Sequence, residues 1–205
     1  MKDLQRALSE IHAIRHQVAR GTQFRGYGPA SIAFSGFLAL FAAWAQSQWG
    51  GPGAHALTSS LTIWVCVAAV SVGLSSLETL ARARRVHFDL AQEMLQSAVE
   101  QFLPSLVVGV LLTGVLLRVA PAEFWLFPGL WELIFSLGVF ASCRFLPRQM
   151  FVVGVWYLVA GLCSIVFAGE AKTFLPWTMG IPFGVGQLLV AAVLQLCVED
   201  NLEEI

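Results

Sequence analysis

Polar and apolar positions alternate along this chain in long blocks rather than residue by residue. Gly26 to Leu77 is a run of 52 residues with no Lys, Arg, Asp or Glu, and further long uncharged stretches follow it. A helix needs about 20 mainly apolar residues to cross the hydrocarbon core of a bilayer. Six segments meet that requirement: Pro29 to Trp49, Thr58 to Leu77, Phe102 to Leu117, Phe124 to Leu146, Gln149 to Ala168 and Pro176 to Cys197. Gly50, Gly51, Pro52 and Gly53 form a breaker cluster that turns the chain between the first two. Pro104, Pro128 and Pro176 stand near helix starts, where a missing amide hydrogen costs nothing. The third span is the shortest, with 17 uncharged residues between Glu100 and Arg118, and the Arg118 side chain can lengthen it by reaching to the interface. The pattern predicts an all-α integral membrane protein, a six-helix bundle occupying residues 29–198.

The polar blocks between these spans carry a different periodicity. In residues 1–28, Leu4, Leu8, Ile11, Ile14 and Val18 recur at spacings of three and four and share one stripe. They predict an amphipathic N-terminal cytoplasmic helix that lies on the inner leaflet, packs on the protein's own loops or binds a partner. Gly21, Gly26 and Gly28 then form an elbow into the first span. Residues 79–101 also read as helical, with Phe88, Ala91, Leu95, Ala98 and Phe102 in register to run into the third span. Residues 199–205 form an acidic tail.

Composition agrees with the pattern. The chain is 57% hydrophobic and 12% charged, where a soluble domain carries about a quarter charged residues. Charge also orients it. Lys2, Arg6, Arg15, Arg20, Arg25, Arg82, Arg84, Arg85, Arg144 and Arg148 fall on one side of a six-span topology, leaving only Arg118 and Lys172 of the 12 basic residues on the other. The positive-inside rule makes the rich side, and with it both termini, cytoplasmic. A cleaved signal peptide is not expected, because about 25 polar residues precede an apolar stretch too long for one.

Few residues carry candidate chemistry. Glu132 is the one carboxyl group well inside a predicted span. Ionisable groups at that depth cost roughly 2.5 to 3.5 kcal/mol on insertion scales for the strongly disfavoured types, which makes them candidates for function by default. A proton or cation site and a hydrogen bond that serves packing are the two readings. The sixth span gathers Gly180, Pro182, Gly184, Gly186 and Gln187. Such a segment either packs closely against another helix or unwinds to expose carbonyl groups, as in many transporters. Glu132, Gln187, Gly184 and Pro182 together form the candidate intramembrane site. At the cytoplasmic surface, shared depth predicts an ion pair between Arg144 and Glu78 or Glu100. Arg82, Arg84 and Arg85 suit anionic lipid headgroups, although such a cluster is also the ordinary topogenic signal.

Other chemistry finds no support. His12, His16, His55 and His87 all lie outside the spans, against a membrane haem. His12 and His16 share a helix face but have no evident third ligand, so no metal or other cofactor is expected. Cys66, Cys143, Cys163 and Cys197 lie in apolar segments without C-x-x-C spacing and read as buried free thiols. No H-E-x-x-H, G-x-S-x-G or P-loop motif occurs, so no catalytic residue is assigned and an enzyme ranks last.

The stretches Phe24-Arg25-Gly26-Tyr27-Gly28-Pro29, Pro128-Gly129-Leu130-Trp131-Glu132, Cys143-Arg144-Phe145-Leu146-Pro147-Arg148 and Met179-Gly180-Ile181-Pro182-Phe183-Gly184 give the chain a family resemblance. It resembles an uncharacterised group of small polytopic bacterial inner-membrane proteins. The resemblance implies a multi-pass protein of the bacterial cytoplasmic membrane and brings no activity with it. Two function classes follow from the residues. The first is a regulatory or scaffold protein that works through its cytoplasmic helices. The second is a small transporter or channel, built as a homo-oligomer, that moves protons, ions or a small solute by Glu132 and the sixth span. The expected partners are the lipid bilayer, a second copy or a cytoplasmic protein, and no nucleic acid.

Overall fold

The computed structural model describes residues 29–49, 56–83 and 89–203. Within them the chain is all-α, and six helices are each long and apolar enough to cross a membrane. They are α1 (Pro29–Trp49), α2 (Ala56–Ala83), α3 (Asp89–Val119), α4 (Phe127–Ser142), α5 (Met150–Ala171) and α6 (Pro176–Glu203), with a short 3-10 helix at Pro121–Leu126 leading into α4. The Leu4 to Val18 stripe, Arg84, Arg85 and the four histidines lie outside the described residues.

Local chemistry sets several boundaries. α1 begins on Pro29, whose fixed φ suits a first helical turn. α4 closes at Ser142, four residues before the expected Leu146. There the Cys143 amide is shared between the Val139 and Phe140 carbonyls, and the Phe145 amide bonds Ser142 at 2.9 Å. Pro147 disfavours helix in the residue before it, so the segment turns instead of continuing. α5 stops at Lys172, which adopts a left-handed conformation (φ 47, ψ 38) and returns its amide to Ala168 at 2.8 Å.

Neighbouring helices are antiparallel and meet through small residues. Gly36 of α1 lies against the Gly184 carbonyl of α6, Gly184 against Leu40, and Gly180 against Ala43 and Ala39. A Cβ on Gly36 would stand 2.8 Å from the Gly184 oxygen, so only glycine allows this approach. α4 and α5 meet at Gly129 and Gly161, where a Cβ on Gly129 would stand 2.8 Å from the Gly161 oxygen. Lipid is as apolar as leucine, so close van der Waals packing of this kind carries helix association in a membrane.

The packing makes a sequence of neighbours, α2 on α1, α1 on α6, α6 on α5, α5 on α4 and α4 on α3. One apolar cluster centres on Val153, Tyr157 and Leu194, and a second on Ala43, Trp64, Phe124 and Phe127. α2 and α3 are the flanks. Half of the fourth span is buried within the protein, against 11% of the second and 6% of the third. Their outward apolar side chains, Val65, Val72, Leu103 and Leu111 among them, need a hydrocarbon solvent. Cys66 and Cys163 belong to such faces. They are free but exposed, which corrects the expectation that they are buried: an apolar segment in a membrane protein need not point inward.

Candidate functional site

The site grows from one helix contact. The Gly129–Gly161 approach brings α4 and α5 together at the level of Glu132, whose side chain is fully enclosed, at 0% exposure. Ser164, one turn beyond Gly161 on α5, places its Oγ 3.1 Å from Glu132 Oε2 and 3.3 Å from Oε1. The same Oγ lies 3.1 Å from the Thr178 carbonyl oxygen of α6. Three helices therefore converge on a single hydroxyl.

Pro182 explains why the Thr178 carbonyl is there to be met. In an α-helix the carbonyl of residue 178 would accept from the amide of residue 182, and proline has none. α6 nevertheless runs without a break from Pro176 to Glu203. Membrane helices tolerate proline where a neighbouring side chain satisfies the freed carbonyl, and Ser164 fills that role. Trp156 of α5 adds a bond from its Nε1 to the Pro182 carbonyl at 3.0 Å. Glu132 and Pro182, separate candidates in the sequence, are thus joined through Ser164 and Thr178.

The other members of the candidate set lie elsewhere. Gly184 packs on Leu40, and the Gln187 side chain is half-buried beside Gly36. Tyr157 is fully buried, with its ring against Gly186 and its hydroxyl beside Gln187, and that hydroxyl reaches no partner with hydrogen-bonding geometry. Ser136, one turn beyond Glu132 on α4, is also fully buried, and its Oγ has no partner among the described residues. Phe135 and Phe183 pack tilted against Tyr157 at 4.9 and 5.4 Å between ring centres and close the region from α4 and α6.

A second buried polar cluster ties α1 to α2. Gln46 donates from Nε2 to Ser60 Oγ at 2.6 Å and accepts at Oε1 from Trp64 Nε1 at 3.0 Å. On the other flank, Trp131 of α4 donates to Thr113 Oγ1 of α3 at 3.0 Å, with its ring on Gly109. A shallow apolar cleft beside that ring is lined by Leu112, Leu116, Phe127 and Ile134 and does not reach Glu132.

At the end of the bundle where α3 begins, Ser142 Oγ donates to the Ala98 carbonyl at 2.9 Å. Arg144 and Glu100 each lie two residues beyond that bond on antiparallel segments, and so on opposite sides of it. Both are exposed, and Glu100 accepts from Gln96 Nε2 at 3.1 Å within its own helix. Glu78 is half-buried near the end of α2. Among the described residues, no three His, Cys, Asp or Glu side chains gather as metal ligands would.

Sequence reading missed Ser164, Ser136, Tyr157 and Gln46. Isolated neutral polar residues in apolar runs carry little signal alone. Pro182 was a usable one, because a proline inside a span implies an orphaned carbonyl four residues earlier and a donor to meet it. Comparison with protein families, with curated proteins and with solved structures finds no match to this chain.

Proposed function

We propose that this polytopic membrane protein is a regulatory or scaffold protein, whose spans form a packed support and whose cytoplasmic segments hold a partner. One observation carries the reading: Glu132, the carboxyl group inside the spans, is enclosed between α4, α5 and α6 and engaged by Ser164. A conduction site needs a hydrated approach, whereas this group is built into a helix contact. Function then falls to the parts beyond the spans. α2 continues past Glu78 to Ala83, α3 begins at Asp89 ahead of its span, and α6 continues past Leu196 to Glu203.

In this reading the membrane is the bacterial cytoplasmic one, with both termini inside, and Arg82, Arg84 and Arg85 lie at anionic headgroups. Arg144 pairs with Glu78 or Glu100 at the cytoplasmic surface. The amphipathic stripe from Leu4 to Val18 is the partner-binding or leaflet-binding element.

The second reading is a small oligomeric transporter or channel. It rests on the polar groups that line up inside the bundle, Ser164, Glu132, Ser136 and Tyr157. Proteoliposome flux under an imposed pH gradient separates the two. Background flux from both wild type and Glu132→Gln supports the scaffold. Proton or ion flux in the wild type that Glu132→Gln abolishes, with the fold intact, overturns it in favour of transport.

A further inference from the structure

The Ser164 hydroxyl has one hydrogen and two acceptors within reach, the Thr178 carbonyl at 3.1 Å and the Glu132 carboxyl group at 3.1 and 3.3 Å. A carbonyl oxygen only accepts, and Pro182 has removed the amide that this one would otherwise receive. If Ser164 donates to Glu132, the Thr178 carbonyl loses its donor. Glu132 would then be a charged group with one hydrogen bond and no solvent contact, a costly arrangement in a helix bundle. If Ser164 donates to Thr178, both oxygens are satisfied on one condition: Glu132 must itself supply a hydrogen.

The neighbouring hydroxyls agree. Ser136 Oγ, one turn along α4, is enclosed with no partner among the described residues, and the enclosed Tyr157 hydroxyl on α5 lies beside Gln187 and not on Glu132. A carboxylate accepts several hydrogen bonds and would attract such donors, whereas a neutral acid asks less of them. Tyr157 of α5 is the titratable side chain within electrostatic reach of Glu132, and Thr178 and Gln187 of α6 are not titratable.

We propose that Glu132 is a resident proton-binding site, and that its carboxylic acid heads a directed chain in which Glu132 donates to Ser164 Oγ and Ser164 donates to the Thr178 carbonyl left open by Pro182. The ligand is a proton. Its effect is to tie α4, α5 and α6 at one point with neutral groups only, and the proposal stands whichever reading of the function holds.

Infrared spectroscopy of the full chain in lipid vesicles at neutral pH tests this. The wild type is expected to show a carboxylic-acid C=O stretching band, separate from the amide bands, that disappears in Glu132→Gln. Should that variant fail to fold, isotopically labelled glutamate identifies the band by its shift in the wild-type chain. Ser164→Ala removes the acceptor and is expected to shift the band without abolishing it. Pro182→Ala returns an amide to the Thr178 carbonyl and is expected to shift it as well, by freeing the Ser164 hydrogen. A wild-type spectrum with no glutamate-dependent acid band overturns the proton site. A band indifferent to both Ser164→Ala and Pro182→Ala overturns the chain.

Discussion

The two buried polar clusters, Gln46 with Ser60 and Trp64 and Glu132 with Ser164 and Thr178, do the same mechanical work with different chemistry. Each ties helices together through buried polar side chains. The Gln46 amide carries its own donors and its own acceptor, so it gives to Ser60, receives from Trp64 and completes the set with permanently neutral groups. The Glu132 cluster has more acceptors than fixed donors, because Pro182 adds an orphaned carbonyl, and it balances only with a bound hydrogen. A membrane interior accepts either solution. The amide is insensitive to its surroundings, and the acid depends on remaining enclosed.

Substitutions can break or sharpen that contrast, and reversible unfolding of the protein in mixed micelles reads all of them on one scale. The largest effect is expected from Gly129→Leu, which drives a side chain into the Gly161 carbonyl and Ile165 and separates the helices that enclose Glu132. A loss of about 3 kcal/mol is expected for overpacking of this kind. Next comes Gln46→Leu, which leaves the buried Trp64 Nε1 without its acceptor and should cost about 2 kcal/mol. Gln46→Glu keeps the acceptor for Trp64 and removes the fixed donor to Ser60, for an expected loss of about 1 kcal/mol. Glu132→Gln should be the mildest. Its amide donates to Ser164 as the neutral acid does, so the change should stay below about 1 kcal/mol. If exchanging acid and amide costs more at 132 than at 46, the two clusters do not differ as described.

The six spans were legible because charge is excluded from hydrocarbon so strongly that uncharged runs mark them almost alone. The end of α4 was less so. Cys143 to Leu146 is apolar enough to extend the span, and what stops the helix is the turn forced ahead of Pro147. Glu132 was visible for the same reason as the spans, as a charge type in a block without charge. Its partner was not, since nothing marks Ser164 apart from other serines in apolar segments until α5 is laid against α4. Gly180 and Gly184 announced a close contact but not its other side, which turned out to be α1, at the opposite end of the chain. Sequence pattern shows what a helix needs, and the choice of neighbour depends on tertiary fit.

α2 and α3 extend the lesson. Their spans are more hydrophobic than the first, fourth and sixth, yet they bury the least. In water that would be inconsistent. In a bilayer, apolar surface measures contact with lipid as well as with protein, so hydropathy alone does not rank helices by burial.

The account holds that the polar groups around Glu132 are sealed within helix contacts, and Ser136→Cys tests this most directly. The change is nearly isosteric at a position with 0% exposure, in a chain whose four native cysteines are replaced. A small membrane-impermeant thiol reagent is applied to each face of the vesicle in turn. The account predicts no labelling from either side until the protein is unfolded. Labelling of the folded protein from either face would show a water-filled route to the centre of the bundle, and the packed support would have to be read as a pathway.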